Sequence, residues 1–139
     1  MLTGIGYEHY ETSNYALPGK RSRHNQGYWT GNDYLGLGPS AVSTLARTRH
    51  QNVCDTDQYL KQISAVGHAQ ENIEILDDEA WRFERIALEL RTTEGLPLKY
   101  LLPETNLTNI SHLVKKTATH LRLTGEGPLL VDSIAAELV

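Results

Sequence analysis

The sequence predicts an α+β fold, with strands in the first half and a compact helical module in the second. Residues 1–54 are rich in Gly, Tyr, Asn and Ser and hold few helical patterns. After residue 71, apolar residues recur at helical spacing instead. The length of 139 residues suits one domain, or one domain plus a fragment, and the 40% hydrophobic and 22% charged content is typical of globular proteins.

Turn residues and glycines divide the first 54 residues. Pro18-Gly19 marks a turn. Residues 34–38 (Tyr-Leu-Gly-Leu-Gly) are predicted to form a strand that another segment approaches closely, because glycine has no side chain to block the approach. Such a strand would belong to a sheet whose other strands lie outside this sequence.

A first helix is predicted to begin after Asp55. Gln58 stands three residues later, which completes a capping-box pattern. Leu60 and Ile63 form its apolar stripe, and Gly67 is a suitable stop. A polar linker is expected up to residue 71, so the predicted division is 1–70 and 71–139.

The second part is predicted to hold two short strands and three helices. Ile73 and Ile75 alternate with a polar residue, as in a strand. Asp77 is the expected N-cap of a strong helix. The remaining apolar residues are assigned to that helix (Ala80, Phe83, Ala87, Leu90), to a second helix (Leu107, Ile110, Val114, Ala118), to a short strand (Leu121, Leu123) and, after Pro128, to a last helix (Leu130, Ile134, Leu138). This order resembles a winged-helix unit.

Charge and hydropathy exclude some function classes. The net charge is −4, and residues 69–139 carry seven basic and twelve acidic side chains. An acidic half is a poor nucleic-acid surface, because phosphate binding depends on clustered Lys and Arg. No apolar run reaches the length of a membrane span and no leader pattern is present, so a cytoplasmic protein is expected.

The segment His24-Asn25-Gln26-Gly27-Tyr28-Trp29 concentrates chemically useful groups. It combines an imidazole, two carboxamides and two large aromatic rings, and Lys20, Arg21 and Arg23 precede it. Imidazole can ligate iron, aromatic faces cover a flat ring, and arginine pairs with carboxylates, so a porphyrin could use all three kinds of group. The structural alternative is a loop whose aromatics pack into a core and whose His only forms hydrogen bonds.

An ordered series of short motifs points to a known family. The series comprises Tyr7-Glu8, Thr12-Ser13-Asn14-Tyr15-Ala16, Pro18-Gly19, Ser22-Arg23-His24-Asn25, Tyr28-Trp29 and Tyr34-Leu35-Gly36-Leu37-Gly38. It resembles the C-terminal part of the oxygen-independent coproporphyrinogen III oxidase family of radical SAM proteins, and most closely the branch of HemW-type haem chaperones. The ending, Leu123-Thr124 to Leu129-Leu130, also resembles the small C-terminal helical domain of that family.

The resemblance implies both a fold and a set of site residues. The fold would be the last strands of a partial (β/α) barrel followed by the helical domain. His24, Tyr28 and Trp29 would contact haem, with His24 as a candidate iron ligand. Asn25, Gln26 and Val42 would lie on the S-adenosylmethionine side. Gly and His are usual in the chaperone branch where this chain has Ser40 and Val42, so the choice between oxidase and chaperone stays open.

Radical SAM chemistry requires three cysteines to hold a [4Fe–4S] cluster, whereas this sequence contains only Cys54. The chain is therefore expected to be a C-terminal fragment that is inactive alone, from a haem chaperone or from a true oxidase of porphyrin biosynthesis. A non-catalytic protein-interaction module is the further alternative, with a haem-accepting client as partner. An isolated fragment is expected to self-associate through exposed strand edges.

Overall fold

The computed structural model describes residues 2–139 and confirms the α+β class. The α-helices in this range are α1 (Arg23–Trp29), α2 (Thr56–Val66), α3 (Asp78–Glu89) and α4 (Val131–Glu137). The strands are β1 (Glu8–Glu11), β2 (Asn14–Ala16), β3 (Val42–Leu45), β4 (Thr48–Asn52), β5 (Gln70–Ile75), β6 (Leu96–Pro97), β7 (Val114–Lys116) and β8 (His120–Leu123). Within the described residues these strands form three separate antiparallel sheets and no closed barrel.

The chain divides into two compact units. The first runs to Gly31 and resumes at Arg82, and the second comprises residues 32–81. These two units do not test the domain boundary predicted at residue 70, which remains a prediction.

The first unit contains the main hydrophobic core. Its sheet has the strand order β6-β8-β7, and α4 contributes Val131, Ile134 and Ala135 to the buried cluster, which its C-cap Leu138 also joins. The predicted last helix is thus confirmed, but Leu130 ends a 3-10 turn before α4 and is exposed. The β1–β2 hairpin is joined to the segment that follows α3 by backbone hydrogen bonds from the Thr12 N–H to the Arg91 carbonyl and from the Thr93 N–H to the Tyr10 carbonyl.

The second unit is a three-stranded sheet, ordered β3-β4-β5, with α2 between β4 and β5. The predicted caps are confirmed. Asp55 accepts a hydrogen bond from the Gln58 N–H at 2.8 Å, Gly67 ends α2 with φ of 80°, and Asp77 caps α3 by accepting from the Ala80 N–H at 2.8 Å. The apolar stripe of α2 is exposed, and no α2 residue is buried in the described structure.

The predicted second helix over residues 107–118 is wrong. The segment forms turns and then β7, which pairs with β8 in a hairpin. Local side-chain hydrogen bonds explain the difference. The Asn106 carboxamide accepts from the Thr108 N–H at 2.9 Å, and the Ser111 hydroxyl donates to the Thr108 carbonyl at 2.9 Å. Such bonds offer the backbone an alternative to the helix. Apolar spacing alone did not reveal this competition.

The predicted strand over residues 34–38 is also wrong, apart from its first residue. Tyr34 forms an isolated bridge with Thr44, and the residues after it have no strand pairing in the described chain. The close approach expected at the glycines does occur, because a Cβ at Gly36 would overlap the Val42 carbonyl. The Gly36 N–H instead donates to the buried Ser43 hydroxyl at 2.9 Å, which holds the segment against β3 without a ladder.

Candidate functional site

The aromatic segment singled out in the sequence lies on α1, a short helix of the first unit. Ser22 is its N-cap, with its hydroxyl oxygen accepting from the Asn25 N–H at 3.3 Å. At the other end the Thr30 N–H donates to the Gln26 carbonyl at 3.0 Å, and Gly31 follows with φ of 76°. The loop offered as the structural alternative is therefore not what forms.

Helical spacing separates the predicted site residues into two groups. His24 and Tyr28 are four residues apart, which places them on one face, and both are exposed. Gln26 and Trp29 are three residues apart and line a cavity, and Asn25 is half-buried. The Tyr28 and Trp29 rings meet edge to face, with centroids 5.8 Å apart. His24 and Tyr28 therefore lie on the exposed face of α1, whereas Gln26 and Trp29 lie beside the cavity.

Val42, the remaining predicted residue, belongs to the second unit. It is the first residue of β3, pairs with Gln51 in the ladder and is exposed at 37%. Its contribution to a cofactor pocket stays a prediction.

The cavity beside α1 has a volume of about 340 Å³ and lies within the first unit. We call it the Glu11 cavity. It is lined by side chains from four elements, namely Tyr10 and Glu11 of β1, Gln26 and Trp29 of α1, Glu89 of α3 and His120 of β8. Because these residues are distant in sequence, the tertiary fold alone brings them together.

Glu11 is the most unusual residue of this cavity. Its side chain is 1% exposed, and neither carboxylate oxygen has a hydrogen-bond partner among residues 2–139. The Trp29 indole N–H is likewise buried without a partner in the described chain. Buried polar atoms of this kind are rare because their desolvation costs free energy.

The buried guanidinium of Arg85 lies next to Trp29 and Glu89, two residues of the cavity lining. Arg85 is 1% exposed and donates to the Trp29 carbonyl at 3.1 Å and to a Glu84 carboxylate oxygen at 3.2 Å. Its guanidinium lies 3.9 Å from the Glu89 carboxylate. Burial raises the pKa of Glu89, and the charges of Arg85 and Lys99 oppose this increase. Glu89 is thus an acid whose charged form is disfavoured by its surroundings.

Arg21 joins two acids of the first unit. Its guanidinium donates to Glu8 and to Glu94, each at 3.1 Å, and lies over the Tyr10 ring. The hydrogen bond to Glu8 is the largest cause that raises the pKa of Arg21 above its ordinary value. Arg21 is therefore already paired with the carboxylates of Glu8 and Glu94, whereas Lys20 and Arg23 are exposed.

Sequence reasoning missed Glu11, Glu89 and His120. The buried residues of β1 are the adjacent pair Tyr10 and Glu11, so the strand shows no alternation that could have indicated a buried acid.

Among residues 2–139, no group of three or more His, Cys, Asp or Glu side chains is arranged to hold a metal ion. In the same range, every helix is too short or too polar to cross a membrane.

Comparison with known proteins shows where the chain belongs. No family model matches it. HemW of Mycobacterium tuberculosis, a haem chaperone, is 32% identical over 142 aligned residues, which cover 99% of this chain and 36% of that protein. HemW of Lactococcus lactis is 38% identical over 96 residues, covering 69% of this chain and 25% of that protein.

A solved structure shows the same fold. The radical SAM enzyme HemN from Escherichia coli, a coproporphyrinogen III oxidase, matches with a TM-score of 0.73 and 20% identity, over 99% of this chain and 38% of that one. The chain is similar in sequence to the HemW haem chaperones, and its fold fits the C-terminal region of HemN. The resemblance expected from the motifs is thereby confirmed. The chain spans little more than a third of HemW from Mycobacterium tuberculosis.

Proposed function

We propose that this chain carries the haem-contacting helix of a haem chaperone of the HemW type, with His24 as an iron ligand. The observation that supports the proposal most directly is the position of His24 on α1. The imidazole is exposed, and within the described chain it makes no hydrogen bond or ion pair. A ring nitrogen is therefore available to a metal without first breaking an internal contact.

The surroundings of His24 suit a porphyrin. Tyr28 presents an aromatic ring on the same helical face, and Trp29 supports that ring from the side. Arg23 and Lys20 are exposed and can pair with propionates, whereas Arg21 is held by two acids. The haem face of this proposal therefore consists of His24 and Tyr28, with Trp29 as a support.

The S-adenosylmethionine and cluster chemistry of the family requires residues beyond this chain. Cys54 is the single cysteine in the sequence and is exposed, so these residues do not fit a [4Fe–4S] cluster, which needs several thiolates. Asn25, Gln26 and Val42 remain the predicted residues on the S-adenosylmethionine side. We assign any radical reaction to a protein that supplies the cluster-binding cysteines, and not to these 139 residues alone.

Haem titration tests the proposal. Adding haemin to the chain is expected to shift the Soret band, and His24→Ala should remove the shift. The matched control is His68→Ala, because His68 is also an exposed histidine, and this variant should behave as wild type. The affinity should be modest, since part of the binding free energy is spent on ordering the ligand and its contacts. Equal Soret shifts in both variants would contradict the assignment.

The proposal includes two kinds of protein partner, a haem-accepting client and a second copy of this chain. Support for the second comes from β5, an edge strand whose Ile73 and Ile75 are 65% and 79% exposed. An apolar edge favours pairing with another strand. Light scattering after size-exclusion chromatography should detect a concentration-dependent dimer that Ile75→Lys weakens. A monomer at every concentration would refute self-association.

A further inference from the structure

We propose that the Glu11 cavity binds a small organic cation with N–H donors, such as an amidine or a primary ammonium, and that Glu11 is the carboxylate that receives it. This site is separate from the exposed face of His24 and Tyr28. Its residues project from other elements and from the opposite side of α1, and Trp29, which lines it, also contacts the Tyr28 ring of the haem face.

The first argument is the unpaired carboxylate. Glu11 is almost completely buried, lines the cavity and has no donor for either oxygen within the described residues. Removing a polar group from water without replacing its hydrogen bonds is costly. An amidinium presents two parallel N–H groups, which match the two oxygens of a carboxylate in a bidentate, charge-assisted pair.

The second argument is the charge of the lining. Glu89 and Glu94 line the same cavity as Glu11, and no Lys or Arg side chain is among the lining residues in the described structure. Glu94 lies at the more exposed end, where it accepts from Arg21 and from the Thr93 hydroxyl. Clefts lined by charges of one sign concentrate ligands of the opposite sign. Arg21 pairs with Glu94, and Arg85 lies 3.9 Å from Glu89. Glu11 is therefore the acid of the lining that has no paired cation in the described structure, and its carboxylate favours a cationic ligand over an anion.

The third argument is the shape and chemistry of the walls. Tyr10 and Trp29 supply aromatic surface, and cations are attracted to the faces of such rings. A volume of about 340 Å³ lies within the range of small-molecule sites. The cavity therefore suits a compact cation with an apolar body.

Benzamidine and benzamide form the matched pair of probes, because they share a shape and differ in charge. Isothermal titration of the full chain should give measurable binding of benzamidine at millimolar concentration, and binding of benzamide should be at least about tenfold weaker. Glu11→Gln should weaken benzamidine binding by about tenfold or more and leave benzamide unchanged. Glu104→Gln, which changes an exposed acid that is not part of the lining, should bind as wild type.

Three results would overturn the proposal. The first is that the wild-type chain gives no heat of binding with benzamidine. The second is that the chain binds benzamidine and benzamide with equal affinity. The third is that a Glu11→Gln variant, folded by circular dichroism, binds benzamidine with wild-type affinity. If Glu11→Gln does not fold, the wild-type comparison of benzamidine with benzamide decides the question, because these two probes differ in charge and share a shape.

Discussion

Gly31→Ala should destabilise the protein more than an ordinary glycine substitution does. Gly31 directly follows the C-cap of α1 with φ of 76°, and a Cβ there would overlap the guanidinium of Arg85. Arg85 cannot simply swing into solvent, because it is buried and donates to the Trp29 carbonyl. The added methyl group must therefore displace a buried cation from its acceptor.

The magnitude has two parts. A non-glycine residue in the left-handed region costs about 1–2 kcal/mol. The loss of a hydrogen bond to a charged group costs a further ~1.5–3 kcal/mol. Gly31→Ala should thus lower the free energy of unfolding by about 2.5–5 kcal/mol, the sum of the backbone cost and the hydrogen-bond cost.

Gly19→Ala is the matched control. Gly19 has φ of 73°, and a Cβ there would meet nothing within 4 Å. This variant should show the backbone cost only, about 1–2 kcal/mol. Urea unfolding followed by tryptophan fluorescence measures both free energies, and their difference isolates the displacement of Arg85. A difference below about 0.5 kcal/mol, well under the ~1.5–3 kcal/mol expected for the lost hydrogen bond, would show that the reasoning about Arg85 is wrong.

Three further predictions concern the core, a buried acid and a helix cap. Leu121→Ala removes a fully buried side chain and should cost about 2–5 kcal/mol in urea unfolding, whereas Leu129→Ala, at an exposed position, should stay within about 0.5 kcal/mol of wild type. Because burial raises the pKa of Glu89, this carboxyl stabilises the fold most below its unfolded pKa, and the contribution is lost as the pH rises through the folded value. Urea unfolding from acid to neutral pH should show this decline in wild type and a flatter profile in Glu89→Gln, and parallel profiles would contradict it. Asp55→Ala removes the acceptor of the Gln58 N–H and should cost about 1 kcal/mol, with faster amide exchange at the start of α2. Unchanged exchange there would exclude a stabilising cap.

The features that the sequence predicted correctly depend on neighbouring residues. Asp55 and Asp77 cap helices because the accepting carboxylate and the donating N–H are three residues apart. Pro18-Gly19 forms a turn because Gly19 tolerates a positive φ, and the Lys20 N–H closes it on the Leu17 carbonyl at 2.8 Å. Such signals require no knowledge of the rest of the chain.

The features that sequence reasoning missed depend on contacts that apolar spacing does not reveal. The failed helix over 107–118 has helical apolar spacing, but Val114 pairs with Leu123 across a hairpin. This hairpin pairing, together with the local hydrogen bonds of Asn106 and Ser111, overrides the weak helical preference. The Glu11 cavity brings together positions 11, 29, 89 and 120, and no periodicity connects them. Its unpaired carboxylate became visible only once the burial of each atom was known.

The two faces of α1 lead to one last argument. Sequence reasoning placed His24, Tyr28 and Trp29 together on haem, but the helical repeat directs His24 to solvent and Trp29 to the Glu11 cavity. If the two faces serve different ligands, their variants should be separable. His24→Ala should abolish the haem response and leave benzamidine binding intact, whereas Glu11→Gln should have the opposite effect. If either substitution removed both activities from a folded protein, α1 would have to present one continuous site, and the division into two faces would be wrong.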